Sequence, residues 1–163
     1  MEEVKEYESI PLAGLICMVD LFEVPRPIDP SASNRPPPDV ENVLTERSKC
    51  TTSLFGTTFV EARAVTMPGD GKKRLLFTFN DLAVRSEGKF VLRYRFFDIF
   101  SRPAGYPCPA VLAEHYGGPF IVCSTKTAPA LKESTELTLI LGRHGVPVNI
   151  RKAPRPSRRK LKP

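Results

Sequence analysis

Chemistry in this chain of 163 residues would have to start from two histidines, His115 and His144, and four cysteines, Cys17, Cys50, Cys108 and Cys123. Cys108 and His115 form half of a zinc-ligand set, but no second pair stands at ligand spacing and no cysteine lies in a CxxC. Cys123, near His115, has the elements of a thiol nucleophile. Its place in the β-branched run Phe120–Ser124 predicts burial within a strand, which raises a thiol pKa and blunts its reactivity. The paired carboxylates Glu2 and Glu3 have no shaped pocket in view. Pro68-Gly-Asp-Gly-Lys-Lys shares only its glycines with a phosphate loop and reads as a hairpin turn. No catalytic residue, metal site or cofactor is assigned, and the sequence points to a binding scaffold rather than an enzyme.

The basic residues carry more. The net charge of +6 is segregated: residues 1–150 hold 17 Lys/Arg against 18 Asp/Glu, while residues 151–163 hold seven basic residues and no acid. Such an end suits a polyanion or a nuclear import receptor, or serves only to solubilise. Candidate DNA-contacting residues are Arg26 and Arg35 in a proline-rich arm, Lys72, Lys73 and Arg74 at a strand entrance, Arg93 and Arg95 on one strand face, and Arg151 with Lys152. Each has a plainer reading as a solvated surface charge. Arg158, Arg159 and Lys160 form a candidate nuclear localisation signal.

The elements that must position these groups are mostly strands. Ile10–Val24 is an apolar stretch expected to give one strand after a turn at Ala13-Gly14. Its run Ile10–Val19 is about half of the roughly 20 residues needed to cross a bilayer, so no membrane partner is expected. The first eight residues carry four Glu and one Lys, the wrong sign for a secretory leader. The chain is therefore read as intracellular, with reduced, buried thiols. Pro25–Pro38 holds six prolines and predicts an extended, polyproline-like arm. Leu54-Phe55 and Phe59-Val60 flank Gly56, which marks a bulge or close backbone approach.

Arg74–Phe100 is the best-specified segment and predicts a β-hairpin turning at Glu87-Gly88. Phe77, Phe79, Phe90, Leu92 and Tyr94 would face the core, with Arg93 and Arg95 on the outer side. Ser134–Gly145 predicts one short helix with Ser134 as N-cap. Val146, Val148 and Ile150 alternate into a last strand, at an edge because of Pro147. Many short strands with one helix make an all-β sandwich.

Several of these segments occur in the order of a known family. Phe77 to Phe97, through Asp81-Leu82-Ala83-Val84-Arg85-Ser86-Glu87-Gly88-Lys89-Phe90, resembles the velvet domain of fungal regulators, with its aromatic strand, D-L-S-V-R-x-E-G-like run and R-L-x-F-like strand. Gly118–Ser124 is similar to that family's P-F-x-V-x-S strand, and Glu133–Leu137 to its E-S-T-x-L helix start. Gly145-Val146 with Ile150-Arg151-Lys152 is similar to its closing motif, and Arg26–Pro30 to its R-P-x-D-P-P arm. Pro147 departs from the pattern, standing where the family often carries a basic residue.

The resemblance implies an immunoglobulin-like, Rel-homology-like β-sandwich over residues 25–152. A lead of residues 1–24 would precede it and a basic tail of residues 153–163 would follow. It further implies a nuclear regulator of development, sporulation and secondary metabolism. Such a protein would pair with itself or another velvet-family protein and bind double-stranded DNA through its arm, where Arg26 matches directly. The alternative is an interaction module that pairs with a velvet protein and leaves DNA to its partner.

Overall fold

The computed structural model describes residues 12–24, 44–69, 71–101, 105 and 108–154. Its main layer is a five-stranded antiparallel sheet built on two long central strands, β1 (Leu15–Glu23) and β7 (Gly88–Asp98). These pair over their whole overlap, from Leu15 opposite Asp98 to Glu23 opposite Phe90. On the far side of β1 lies β3 (Phe59–Glu61). The far side of β7 is shared by β8 (Val111–Tyr116) and β9 (Phe120–Val122).

Facing this sheet are two small ribbons: β2 (Leu54–Phe55) with β6 (Ala83–Val84), and β4 (Arg63–Thr66) with β5 (Lys73–Leu76). The helix α1 (Glu136–Arg143) packs against the second ribbon. Among the described residues the fold is an all-β sandwich with one short helix.

Alternation along β1 explains why it lies at the centre. Cys17, Val19 and Leu21, all fully buried, point inward, while Asp20 and Phe22 point outward and are buried too. A strand covered on both faces must be apolar nearly throughout, and LICMVDLF is apolar except for Asp20. The inner face joins Val19, Leu21, Leu54 and Phe90 with the half-buried Phe79, Leu92 and Tyr94. Full burial of side chains such as Leu21 and Phe90 is worth roughly 1.5–3 kcal/mol each.

The expected hairpin of Arg74–Phe100 is corrected. β5 pairs with β4, and β7 pairs with β1, so the two strands lie in opposite layers. Residues between them are anchored elsewhere: β6 pairs with β2, Asp81 accepts hydrogen bonds from Thr57, and the Asn80 amide donates to the Pro147 carbonyl. Aromatic residues assigned to one inner face in fact meet across the layers, Phe77 with Phe96 at 5.1 Å between ring centroids and Phe79 with Tyr94 at 6.0 Å.

Other expectations hold or shift by a residue. A turn at Ala13-Gly14 precedes β1, and Met67 donates to the Lys72 carbonyl across the β4–β5 turn. The helix forms, but Thr135 rather than Ser134 is its N-cap, accepting from the Thr138 amide; the Ser134 hydroxyl is engaged by the Arg151 amide instead. Residues 146–150 form no strand. Pro147 has no N–H to offer a ladder, and Val146 is instead buried against Val65 and Leu141. Cys17 is buried, whereas Cys108 and Cys123 are exposed and Cys123 lies beyond the end of β9, which overturns their expected burial.

Gly56 sits at a close approach, with φ +96° and a site where a Cβ would lie 2.3 Å from the Asp81 carbonyl oxygen. Gly69, in the β4–β5 turn, has open space around it. Gly56→Ala should therefore destabilise by at least about 1 kcal/mol, while Gly69→Ala stays near neutral. Urea unfolding of the two variants checks this pair of outcomes.

Candidate functional site

Asp20 lies opposite Arg93 in the β1–β7 ladder and is 2% exposed. One carboxylate oxygen accepts from Arg93 at 2.9 Å and from Arg95 at 2.7 Å. The other pairs with Lys49 Nζ at 2.8 Å and accepts from the Thr51 hydroxyl at 3.2 Å. Arg93 continues outward to Glu46 at 2.8 Å, and its Nε stands 3.8 Å from Glu114 on β8. Its guanidinium also lies over the Phe22 ring, 4.8 Å from the centroid. Three acids thus face three bases in a neutral cluster on the outer face of the sheet.

The cluster fixes a short irregular segment. Two 3₁₀ turns, Glu46–Ser48 and Thr51–Ser53, carry Glu46 and Thr51 and flank Lys49. Lys49 forms an isolated bridge with Phe22, and the Cys50 amide donates to the Leu21 carbonyl. Beside the ions, Phe22, Leu44 and Val91 make a small apolar cluster with Val24 and Tyr116.

The electrostatics follow from these contacts. Burial pushes the Asp20 carboxyl up, but hydrogen bonds from Lys49 and Arg93, with the charge of Arg95, outweigh it and hold the group down to about 2. Burial alone would ease Arg93 toward the neutral form; its bonds to Asp20, Glu46 and Tyr116 overcome that and raise its pKa. Glu46 is lowered chiefly by its bond from Arg93. Asp20 is therefore a saturated acceptor, not a general base. Burial pushes the Cys17 thiol up to about 11, leaving it un-ionised at neutral pH.

Arg93 and Arg95 do lie on the outer face of the sheet, but not as solvated charges. The outer side of β7 is covered there, so Arg93 is 6% exposed and both arginines are bound to Asp20. Lys72, Lys73 and Arg74 are exposed at the β4–β5 turn, and Lys152 is exposed at the other end of the described chain, next to the half-buried Arg151. Arg151 is held by Ser134 and the Lys132 carbonyl. Arg26, Arg35 and the proline-rich arm, with Arg158, Arg159 and Lys160, lie outside the described residues. Among the described residues no three metal-ligating side chains come together.

Asp20, Glu46 and Lys49 were not singled out from the sequence. The available signal was a lone acid inside an apolar strand, matched by two arginines two residues apart in another strand of similar length.

Fold and site together define a β-sandwich whose polar centre is a structural ion cluster. Similarity to known proteins makes that class specific. The Velvet factor family profile matches residues 23–155. The chain is 39% identical over 204 residues to a probable velvet family sexual development regulator of Laccaria bicolor, covering 97% of this chain and 59% of that protein. It is 42% identical over 159 residues to another probable velvet family sexual development regulator from Schizophyllum commune, with 92% and 55% covered. It is also 30% identical over 134 residues to a velvet complex subunit of Coprinopsis cinerea, with 77% and 36% covered. The chain belongs to the velvet family, and it spans a little over half the length of the first two relatives.

The sign of the Asp20 shift sets a pH dependence. A carboxylate whose folded pKa lies below its unfolded value adds stability above the unfolded pKa and loses it as pH falls through the folded one. Between about pH 4 and 2 the wild type should lose roughly 2 kcal/mol from this group. Asp20→Asn removes that component and, by leaving Arg93 and Arg95 unbalanced, destabilises at pH 7 by roughly 3–5 kcal/mol. Denaturant midpoints measured from pH 7 to pH 2 on both proteins check it.

Proposed function

We propose that this chain is a nuclear regulator of fungal development that acts as a velvet-type dimer on double-stranded DNA. The observation that carries the reading is family membership alongside proteins named as sexual development regulators. The charge distribution supports it: seven basic residues without an acid in residues 151–163 suit a phosphate backbone. Lys72, Lys73 and Arg74 offer a second exposed basic site. Arg26 and Arg35 of the arm are the proposed groove contacts. Arg158, Arg159 and Lys160 are proposed to engage an import receptor. Control of sporulation and secondary metabolism is proposed on the same family ground. Arg93 and Arg95, bound to Asp20, have no part in the interface.

In binding to duplex DNA across a salt series, affinity should fall with a log–log slope of about −0.9 per phosphate neutralised. Lys72→Ala with Lys73→Ala should weaken binding several-fold and flatten that slope by about one to two. Absence of binding at low salt, by the chain alone or with a velvet partner, refutes the proposal.

A second reading is favoured by the near-neutral balance of residues 1–150 and by the relative named as a velvet complex subunit. In it the chain pairs with another velvet protein and leaves DNA to that partner. Deleting residues 153–163 separates the two. Retained sequence preference at lower affinity supports a DNA-reading domain, and complete loss supports the interaction module.

A further inference from the structure

The near-neutral balance of residues 1–150 conceals a basic face within the sandwich. Residues 62–80 and 137–152 hold seven Lys/Arg, and Asp70 is their one acid. The fold brings these two segments together. Val65 of β4 packs with Leu141 of α1 and with Val146, and Leu76 and Val148 adjoin them.

Three arginines are set around that apolar contact. Arg63 stands opposite Leu76 and Val65 opposite Arg74. Arg63 and Arg74 are therefore diagonal neighbours on the ribbon face that carries Val65, with side chains roughly 7–8 Å apart at their origins. Arg143 closes α1, in the short stretch between Leu141 and Val146, both of which are held against Val65. All three arginines are exposed, and Lys72 and Lys73 extend the series into the β4–β5 turn.

Several other arginines of the described chain are engaged. Arg93 and Arg95 are bound to Asp20, Arg85 lies 4.3 Å over the Phe55 ring, and Arg151 donates to the Lys132 carbonyl. Arg63 and Arg143 form no ion pair among the described residues. Like charges gathered on one face repel one another, and a polyanion relieves that repulsion while releasing its own counterions. A ribbon and a helix joined by one apolar cluster fix the spacing of Arg63 and Arg143 before binding, which lowers the ordering cost.

We propose that this face is a phosphate-backbone site for duplex DNA, with Arg63 and Arg143 contacting phosphates beside Lys72, Lys73 and Arg74. The proposal rests on the DNA-binding reading and places part of the contact on the folded domain itself.

The test measures binding of the whole purified chain to duplex DNA by fluorescence anisotropy across a salt series. Arg63→Gln with Arg143→Gln should weaken binding about tenfold and flatten the log–log slope by about two, with an unchanged circular dichroism spectrum. Arg63→Lys with Arg143→Lys should keep the wild-type slope. Arg47→Gln with Lys89→Gln removes the same charge from the outer side of the main sheet and should also leave the slope as it was. If the wild type binds and the first pair leaves its slope unchanged, or the outer pair flattens it as much, the proposal is overturned while the DNA reading stands. Loss of slope in the Lys pair overturns it too, since a contact made by charge survives that change. If the wild type binds no DNA at low salt, alone or with a velvet partner, the DNA reading falls and this site with it.

Discussion

A carboxylate in the middle of a central strand is the constraint around which the main sheet is organised. Asp20 is denied water on both sides, and an isolated buried carboxylate costs far more than a domain's net stability. It is tolerable only because Arg93, Arg95, Lys49 and Thr51 reach it together. Two of those partners come from the neighbouring strand, where the register places Arg93 directly opposite. The other two come from the 3₁₀ segment, so satisfying one side chain also fastens residues 46–53 to the sheet. Glu46 and Glu114 then offset the positive excess at the rim. Replacing such a set by apolar residues can cost little, but removing one member costs much. The cluster therefore acts on specificity: it admits only the register and the cover segment that bring all the charges together.

This outer lock has a counterpart on the inner face. Among the described residues the inner layer consists of two short ribbons and a helix rather than a second broad sheet. Leu54 and Phe90 close one end, where Phe120 stands 6.2 Å from Phe90 between ring centroids. Val65, Leu141 and Val146 close the side under α1. Between these clusters the layers touch through aromatic pairs, and an open apolar groove is what remains. A sheet fastened firmly on its outer face can keep its shape beside such a gap.

How much of this could be read from residues alone depends on the range of the interaction. Alternation in β1 and β7 is local, and so the strands, the inward aromatic residues and the turn before β1 were legible. The Ser134–Gly145 segment likewise marked the helix, which forms over Glu136–Arg143. Strand pairing is non-local, and there the reading failed. Two neighbouring apolar segments look like a hairpin until Asn80 and Asp81 are seen anchored to Pro147 and Thr57, partners distant in sequence. β8 was missed because Val111–Tyr116 is exposed along most of its length and shows no two-residue alternation. Arg93 and Arg95 were placed outward correctly by parity, but parity does not report what covers that face. Their hydrogen-bonded carboxylates, Glu46 and Asp20, lie 47 to 75 positions away in sequence.

The fate of those two arginines bears on how the basic charge of this velvet protein can be used. With Arg93 and Arg95 neutralised internally, the centre of the sheet has little positive potential to offer a polyanion. Among the described residues, the exposed positive groups at issue stand at the β4–β5 turn and at Lys152, where the closing basic run begins. Charges on turn or terminal backbone reach phosphates without requiring the sandwich to present a complementary face. Contacts of that kind position a protein on a duplex but carry no base information of their own. On the proposed reading, sequence discrimination then has to come from groups that enter a groove, which in this chain means the arm residues rather than the sheet. On that reading the arginines of the ion cluster hold the scaffold together and take no part in recognition.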